Sequence, residues 1–158
     1  MIVVLDSSVL GVLATPNNSS ELENETGFTE VYYCTEWFYK LLAKTYRIII
    51  PDICDYELRC ELLRIGSQGV EKLNALRAVL DCHAVTFDVL DKAAEIWSES
   101  RAMSQPNTVR ENIDVDCIVA AYCYILQQNH PGQRIVLATK NIKDFQRTTE
   151  CAIWQDII

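Results

Sequence analysis

Histidine is scarce in this sequence, with His83 and His130 the only two, and the seven cysteines include no Cys-x-x-Cys pair. Cys54 and Cys60 stand six apart, as do Cys117 and Cys123, a spacing that suits apolar helix positions better than metal ligation. A Cys/His zinc site is therefore not expected. An odd cysteine count without a regular framework reads as buried, reduced thiols, which places the protein in the cytoplasm. Five glycines and four prolines in 158 residues, 49% of them hydrophobic, describe one compact domain over residues 1–158 with a full core and no low-complexity tract. No apolar run reaches the roughly 18 residues of a membrane span. The apolar start lacks a basic region and carries Asp6 in its middle, so neither a secretory signal nor a membrane association is expected. Positive charge is short as well. With 14 Lys and Arg against 22 Asp and Glu the net charge is −8, which argues against a broad phosphate-neutralising surface for duplex nucleic acid. It leaves room for a small, cation-filled acidic site and for a basic partner.

What the sequence does contain is a regular alternation of short apolar runs and helical patterns. Ile2 to Leu5 is a brief apolar run closed by Asp6, Ser7 and Ser8, the pattern of a fully buried strand. The polar stretch Thr15–Gly27 reads as a mobile surface loop. Residues 29–46 repeat Cys34, Trp37, Phe38, Leu41 and Leu42 at helical spacing after Thr29, a start signal. Arg47–Ile50 is a second strand, and Pro51 opens a helix that stops near Gly66. A further helix over about 69–81, a strand at His83–Phe87 and a helix from Asp88 to about Met103 follow. Ser104–Asn112 reads as a loop, and Asp114–Asn129 as a helix apolar almost all round, hence central. Arg134–Thr139 is a strong buried strand, trailed by a short helix with Phe145 and an edge strand at Cys151–Trp154. Strands alternating with helices predict a three-layer α/β/α sandwich around a central, mostly parallel sheet.

In such a sheet every strand ends at the same edge, where ligands bind. Asp6 ends the first strand, Glu57 lies about two turns into the helix after the second, and Asp116, with Asp114 before it, opens the central helix. Asn141 and Asp144 follow the fourth strand. On its own Asp6 reads equally as a helix cap. Together the acids are informative, because two carboxylates about 4 Å apart repel by about 4 kcal/mol at an effective dielectric of about 20. Hard divalent cations relieve that repulsion through oxygen ligands. Such a site suits phosphodiester hydrolysis without a Ser, Cys or His nucleophile.

Four segments in order, VVLDSSVL (Val3–Leu10), IPDICDYEL (Ile50–Leu58), DVDCIVAA (Asp114–Ala121) and VLATKNIKDF (Val136–Phe145), resemble the PIN-domain ribonucleases, most closely the VapC-type toxins of toxin–antitoxin pairs. The resemblance implies a metal-dependent endoribonuclease with a PIN-like fold, in which Asp6, Glu57 and Asp116 hold Mg²⁺ or Mn²⁺. Ser8 would position ligands or water, with Thr139 in the same segment as Asn141. Asp114 is an extra acid that some members show. Asn141 stands where several relatives carry aspartate, so Asp144 is the remaining acid for a second metal or the nucleophilic water. The resemblance further implies an RNA substrate, a small antitoxin that inhibits the site, and a homodimer. The alternative is a catalytically weak or inactive PIN-like module acting by RNA or protein binding, which the acidic balance favours. Exposed members of the aromatic run Tyr32, Tyr33, Trp37, Phe38, Tyr39 would suit a protein interface. Arg59, Arg110, Lys140, Lys143 and Arg147 stand beside the acidic motifs as candidate phosphate contacts, or as solvated surface charge.

Overall fold

The computed structural model describes residues 1–16, 29–103 and 113–158; the loop expected at Ser104–Asn112, Arg110 and most of Thr15–Gly27 lie outside them. Five strands form one wholly parallel sheet in the order β3-β2-β1-β4-β5: β1 Ile2–Leu5, β2 Arg47–Pro51, β3 Asp81–His83, β4 Ile135–Ala138 and β5 Cys151–Ala152. The helices are α1 Ser7–Leu13, α2 Glu30–Ala43, α3 Asp52–Arg64, α4 Gly69–Val79, α5 Phe87–Met103, α6 Ile113–Asn129 and α7 Ile142–Phe145. A 3-10 turn, Trp154–Asp156, follows β5.

β1 is the pivot of this arrangement. It pairs with β2 on one side (Val3↔Ile48) and with β4 on the other (Val3↔Val136). The chain therefore runs outward in one direction through β2 and β3, then returns to build β4 and β5 on the far side. Asp6 leaves β1 at this switch point, where open α/β sheets form their crevice. All four residues of β1 are buried, and their alternation feeds two cores. Val3 and Leu5 face a layer built with Leu10, Trp37, Phe38, Leu73 and Trp154. Ile2 and Val4 face a layer built with Val89, Ile96, Ala120, Ala121 and Phe145.

Helix ends follow local chemistry. Asp6 caps α1, accepting from the Ser7 N–H, and Thr29 Oγ1 accepts from Tyr32 N–H at the start of α2. α3 ends in a Schellman turn, with Gly66 N–H on Leu63 O and Ser67 N–H on Leu62 O, and Gly66 takes φ +65. α2 ends the same way, but Thr45, a β-branched residue, occupies the left-handed position at φ 57. Gly69 starts α4 where an added Cβ would lie 2.8 Å from Ala14 O, so only glycine lets α4 close on the end of α1.

The structure shifts several expected boundaries. The third strand is Asp81–His83 rather than His83–Phe87. Register explains this: Ile49 pairs with Asp81 and Pro51 with His83, so β2 offers no partner beyond His83. α5 begins at Phe87, and Leu90 N–H bonds to Thr86 O, which puts Asp88 in the first turn and not at the cap. β5 covers two residues of the expected four, since Trp154 turns into the 3-10 segment. Of the seven free thiols, Cys34, Cys54, Cys117 and Cys123 are buried as expected, whereas Cys60 and Cys82 are exposed and Cys151 is intermediate. No helix among the described residues is long and apolar enough to cross a membrane.

Candidate active site

Asp6 is 5% exposed although it carries a carboxylate. Burying such a group is costly unless its oxygens are satisfied, and three short hydrogen bonds do this. Ser7 N–H donates to Oδ1 at 2.8 Å; Ser8 Oγ and Thr139 Oγ1 donate to Oδ2 at 2.6 and 2.8 Å. The network extends into the β4–α7 corner. Lys140 N–H donates to Ser8 Oγ at 3.0 Å, and Asn141 N–H donates to Thr139 Oγ1 at 2.9 Å. Thr139 is fully buried, so both of its bonds are shielded from water. Every partner of Asp6 is a neutral dipole. Ser7 Oγ adds a longer contact to Oδ1 at 3.4 Å, so both oxygens are held by neutral donors.

α3 supplies the opposing wall. Its Cys54 is buried against the β1–α1 corner, where the Ser7 backbone hydrogen-bonds to the thiol. Burial pushes the Cys54 thiol well up, and the neighbouring Asp6, Cys123 and Glu57 push it further. Glu57, one turn beyond Cys54, is half-buried, as its spacing predicts, and makes no hydrogen bond or ion pair among the described residues. Cys60, whose spacing from Cys54 suited an apolar helix position, instead faces solvent. Asp6 and Glu57 thus both act on the Cys54 thiol. Cys123 closes the site from α6; burial pushes its thiol up to about 12, and Asp6 contributes after Thr149 acts in the opposite sense.

The remaining acids are placed less tightly. Asp116 is half-buried in the first turn of α6, the helix that packs on α3, and its charge, with that of Asp114, adds to the burial that raises the Cys117 thiol. Asp114 is exposed. Asp144 is exposed on α7 and lines a cavity of ≈ 590 Å³ between α5 and α7 with Lys143 and Arg147. Asn141 caps α7 without a side-chain bond. Among the described residues, no group of three or more His, Cys, Asp or Glu side chains is arranged to hold a metal ion. Asp6 and Glu57 both act on the Cys54 thiol, and Asp116 stands in the first turn of α6.

Two of the candidate basic residues, Arg59 and Lys140, are occupied. Arg59 donates from Nε and NH2 to the two oxygens of Asp55, both at 2.9 Å, and from NH1 to Asn74. Lys140 pairs with Glu30 at 2.8 Å. Asp55 was not singled out by its sequence context, yet it is 7% exposed and is also approached by Arg77 at 3.6 Å. Its only sequence signal is an acid four residues before an arginine, a pattern shared by many exposed helix pairs. The aromatic run divides as expected, with Trp37 and Phe38 in the core and Tyr32, Tyr33 and Tyr39 exposed.

No protein-family model matches the sequence, and no curated protein does. Solved structures do match the fold. A chain of VapBC2 from Rickettsia felis, bound to a DNA fragment from their promoter, is 21% identical, with a TM-score of 0.65 over 98% of this chain and 99% of that one. A chain of VapBC-1 from nontypeable Haemophilus influenzae is 16% identical, with a TM-score of 0.65 over 99% and 100%. VapC20 of Mycobacterium tuberculosis, a Sarcin-Ricin loop cleaving toxin, is 15% identical, with a TM-score of 0.57 over 93% and 95%. From end to end, the chain has the PIN-like α/β/α fold of these VapC structures.

Proposed function

We propose that the protein is a metal-dependent endoribonuclease, the toxin of a toxin–antitoxin pair. The observation that carries this reading is Asp6, a buried carboxylate at the switch point of the sheet, held by neutral donors alone, with Glu57 on α3, the helix that packs against α1. The fold it shares with VapC toxins supports the same reading.

The donor set fits a hard cation in kind. Mg²⁺ is typically bound through one or two carboxylates, with water and substrate phosphate oxygens filling its other positions, so a ready-made cage of three acids is not required. Asp6 and Glu57 would hold Mg²⁺ or Mn²⁺, with Asp116 as the third acid. Bound there, the ion would supply charge neutralisation at the scissile phosphate and an acidified water. The chain's own residues do the positioning. Ser8 and Thr139 fix both the angle of the Asp6 carboxylate and the β4–α7 backbone beside it. Asp144 and Asn141, on that same corner, are assigned to shaping the water. The net charge of −8 and the acidic crevice suit a small antitoxin that places a basic side chain among the acids. The homodimer expected of the family belongs to the same proposal.

The test is cleavage of a mixed RNA pool by the purified, antitoxin-free protein, with and without Mg²⁺ or Mn²⁺, beside Asp6→Asn. Cleavage that needs metal and is lost in the variant is expected. A folded, metal-supplied protein that leaves the pool intact would favour a second reading, a binding module without catalysis. One observation speaks for that reading, the lack of a three-acid cluster among the described residues.

A further inference from the structure

On the β3 side of α3 opens a second cavity of ≈ 690 Å³. Its frame is rigid. Asp52, the first residue of α3, accepts from Val85 N–H at 3.0 Å and so fastens the β3–α5 connection to the helix. His83 closes the floor, with Nδ1 2.7 Å from the hydroxyl of buried Tyr122 and Nε2 3.2 Å from an Arg47 nitrogen. Because arginine can only donate, Nε2 is the acceptor, and Nδ1 carries the proton that it donates to Tyr122. Ile53 of α3 and Ile118 of α6 complete the lining. Ile53 precedes Glu57 by one turn on α3, so the cavity opens one helical turn from that acid.

Two features say what it would accept. Tyr56, next to Glu57 in the chain, lies at the rim 64% exposed. An exposed aromatic ring on a fixed helix is a stacking platform, and unstacked bases of single-stranded RNA are bound by such rings. The charges of the cavity, meanwhile, cancel. Asp52 and Asp55 face Arg59 and Arg77, and Arg59 is saturated by Asp55 and Asn74. A pocket without net charge has little preference for phosphate and suits the uncharged part of a nucleotide. Arg77 differs from Arg59. Its side chain is 57% exposed and approaches Asp55 only at 3.6 Å, beyond hydrogen-bond length, so donors remain for a base edge.

We propose that this cavity is a nucleobase subsite of the RNA crevice, in which a base next to the scissile phosphate stacks on Tyr56 and is read by Arg77. The inference rests on the endoribonuclease reading and adds a source of sequence preference to it. The test uses two arms. In the first, a fluorescein-labelled single-stranded RNA of randomised sequence is titrated into Asp6→Asn protein, which keeps the RNA intact, and into the same protein with Tyr56→Ala, Tyr56→Phe or Arg77→Gln added. In the second, the positions cut by the otherwise native protein and by each pocket variant are mapped on one RNA pool. The expected result is binding weakened by about tenfold in Tyr56→Ala and retained in Tyr56→Phe. Arg77→Gln should change which bases flank the cut. Both side chains are exposed, so unchanged thermal unfolding serves as the folding control.

Equal affinity and an unchanged cleavage map in Tyr56→Ala and Arg77→Gln would overturn the subsite while leaving the nuclease standing. RNA bound in a Tyr56-dependent way but never cut by the native sequence would overturn the nuclease and leave the subsite. RNA neither bound nor cut would overturn both.

Discussion

The protein buries two carboxylates to nearly the same depth, Asp6 at 5% and Asp55 at 7% exposure, and treats them in opposite ways. Asp55 receives two guanidinium groups, one of them bidentate. Its charge is answered within the fold, and the knot it forms joins α3 to α4. Asp6 receives a backbone N–H and three hydroxyls, all neutral. Its oxygens are oriented but its charge is not cancelled by any ion pair among the described residues. A buried acid with its own counter-ion holds a structure together. A buried acid furnished only with dipoles is prepared for a charge from outside.

The sharpest way to test the contrast is to neutralise each acid in turn. Asp55→Asn leaves Arg59 and Arg77 facing a neutral amide, and the loss of that partly shielded ion pair should cost about 2 kcal/mol of stability, read as a lower denaturation midpoint. Asp6→Asn should leave stability within about 1 kcal/mol of the native protein, because removing a buried charge offsets the hydrogen bonds that are lost. Activity should follow the opposite order, with cleavage abolished in Asp6→Asn and retained in Asp55→Asn under conditions where that variant is folded. If the stability ranking came out reversed, the assignment of roles to the two acids would be wrong.

A smaller effect is expected at Thr139→Val, which keeps the shape of the side chain but removes its bonds to Asp6 and Asn141. The cost should be about 1–2 kcal/mol in urea unfolding, together with slower RNA cleavage. Serine at the same position should restore most of both.

Acidification probes the Asp55 side of the molecule through His83. Burial, then the nearby Arg47, pulls the His83 imidazole below its ordinary value of 6.5, against a smaller opposing pull from Asp81. The unfolded chain therefore binds this proton more readily than the folded one. The stability contributed is complete above pH 6.5 and is lost as pH falls from there through the folded value. Native protein should show a declining melting temperature over that interval, and His83→Gln should flatten the decline. The smallest change lies far from both acids. Thr45→Gly should raise stability by about 0.5–1 kcal/mol, since glycine takes the left-handed turn at the end of α2 without the steric cost of a β-branched residue.

The same contrast shows which parts of the fold were readable in one dimension. Asp6 was legible because it interrupts an apolar run at a strand end, and β1, β2 and β4 were legible because all-apolar runs of that length belong inside a parallel sheet. β3 was not. The sequence His83–Phe87 has the better strand pattern, but an edge strand exists only where its neighbour offers hydrogen bonds, and β2 stops at Pro51. Asp55 escaped notice for a similar reason. Its pairing with Arg59 is local and ordinary in sequence, and its second cation, Arg77, comes from another helix. The extent of clustering among Asp6, Glu57 and Asp116 depends on how α3 and α6 pack, which no motif spacing encodes.

The bond between Thr139 and Asp6 spans 133 residues. During synthesis the first strand and its acid therefore emerge long before the hydroxyl that orients that acid, and β1 waits just as long for β4. Until residue 139 has left the ribosome, the crevice has only one of its walls and its central carboxylate lacks a defined angle. For the ribonuclease proposed above, made on a machine built of RNA, this order of assembly would be a form of delayed arming: the nascent chain would carry the acids before it could use them.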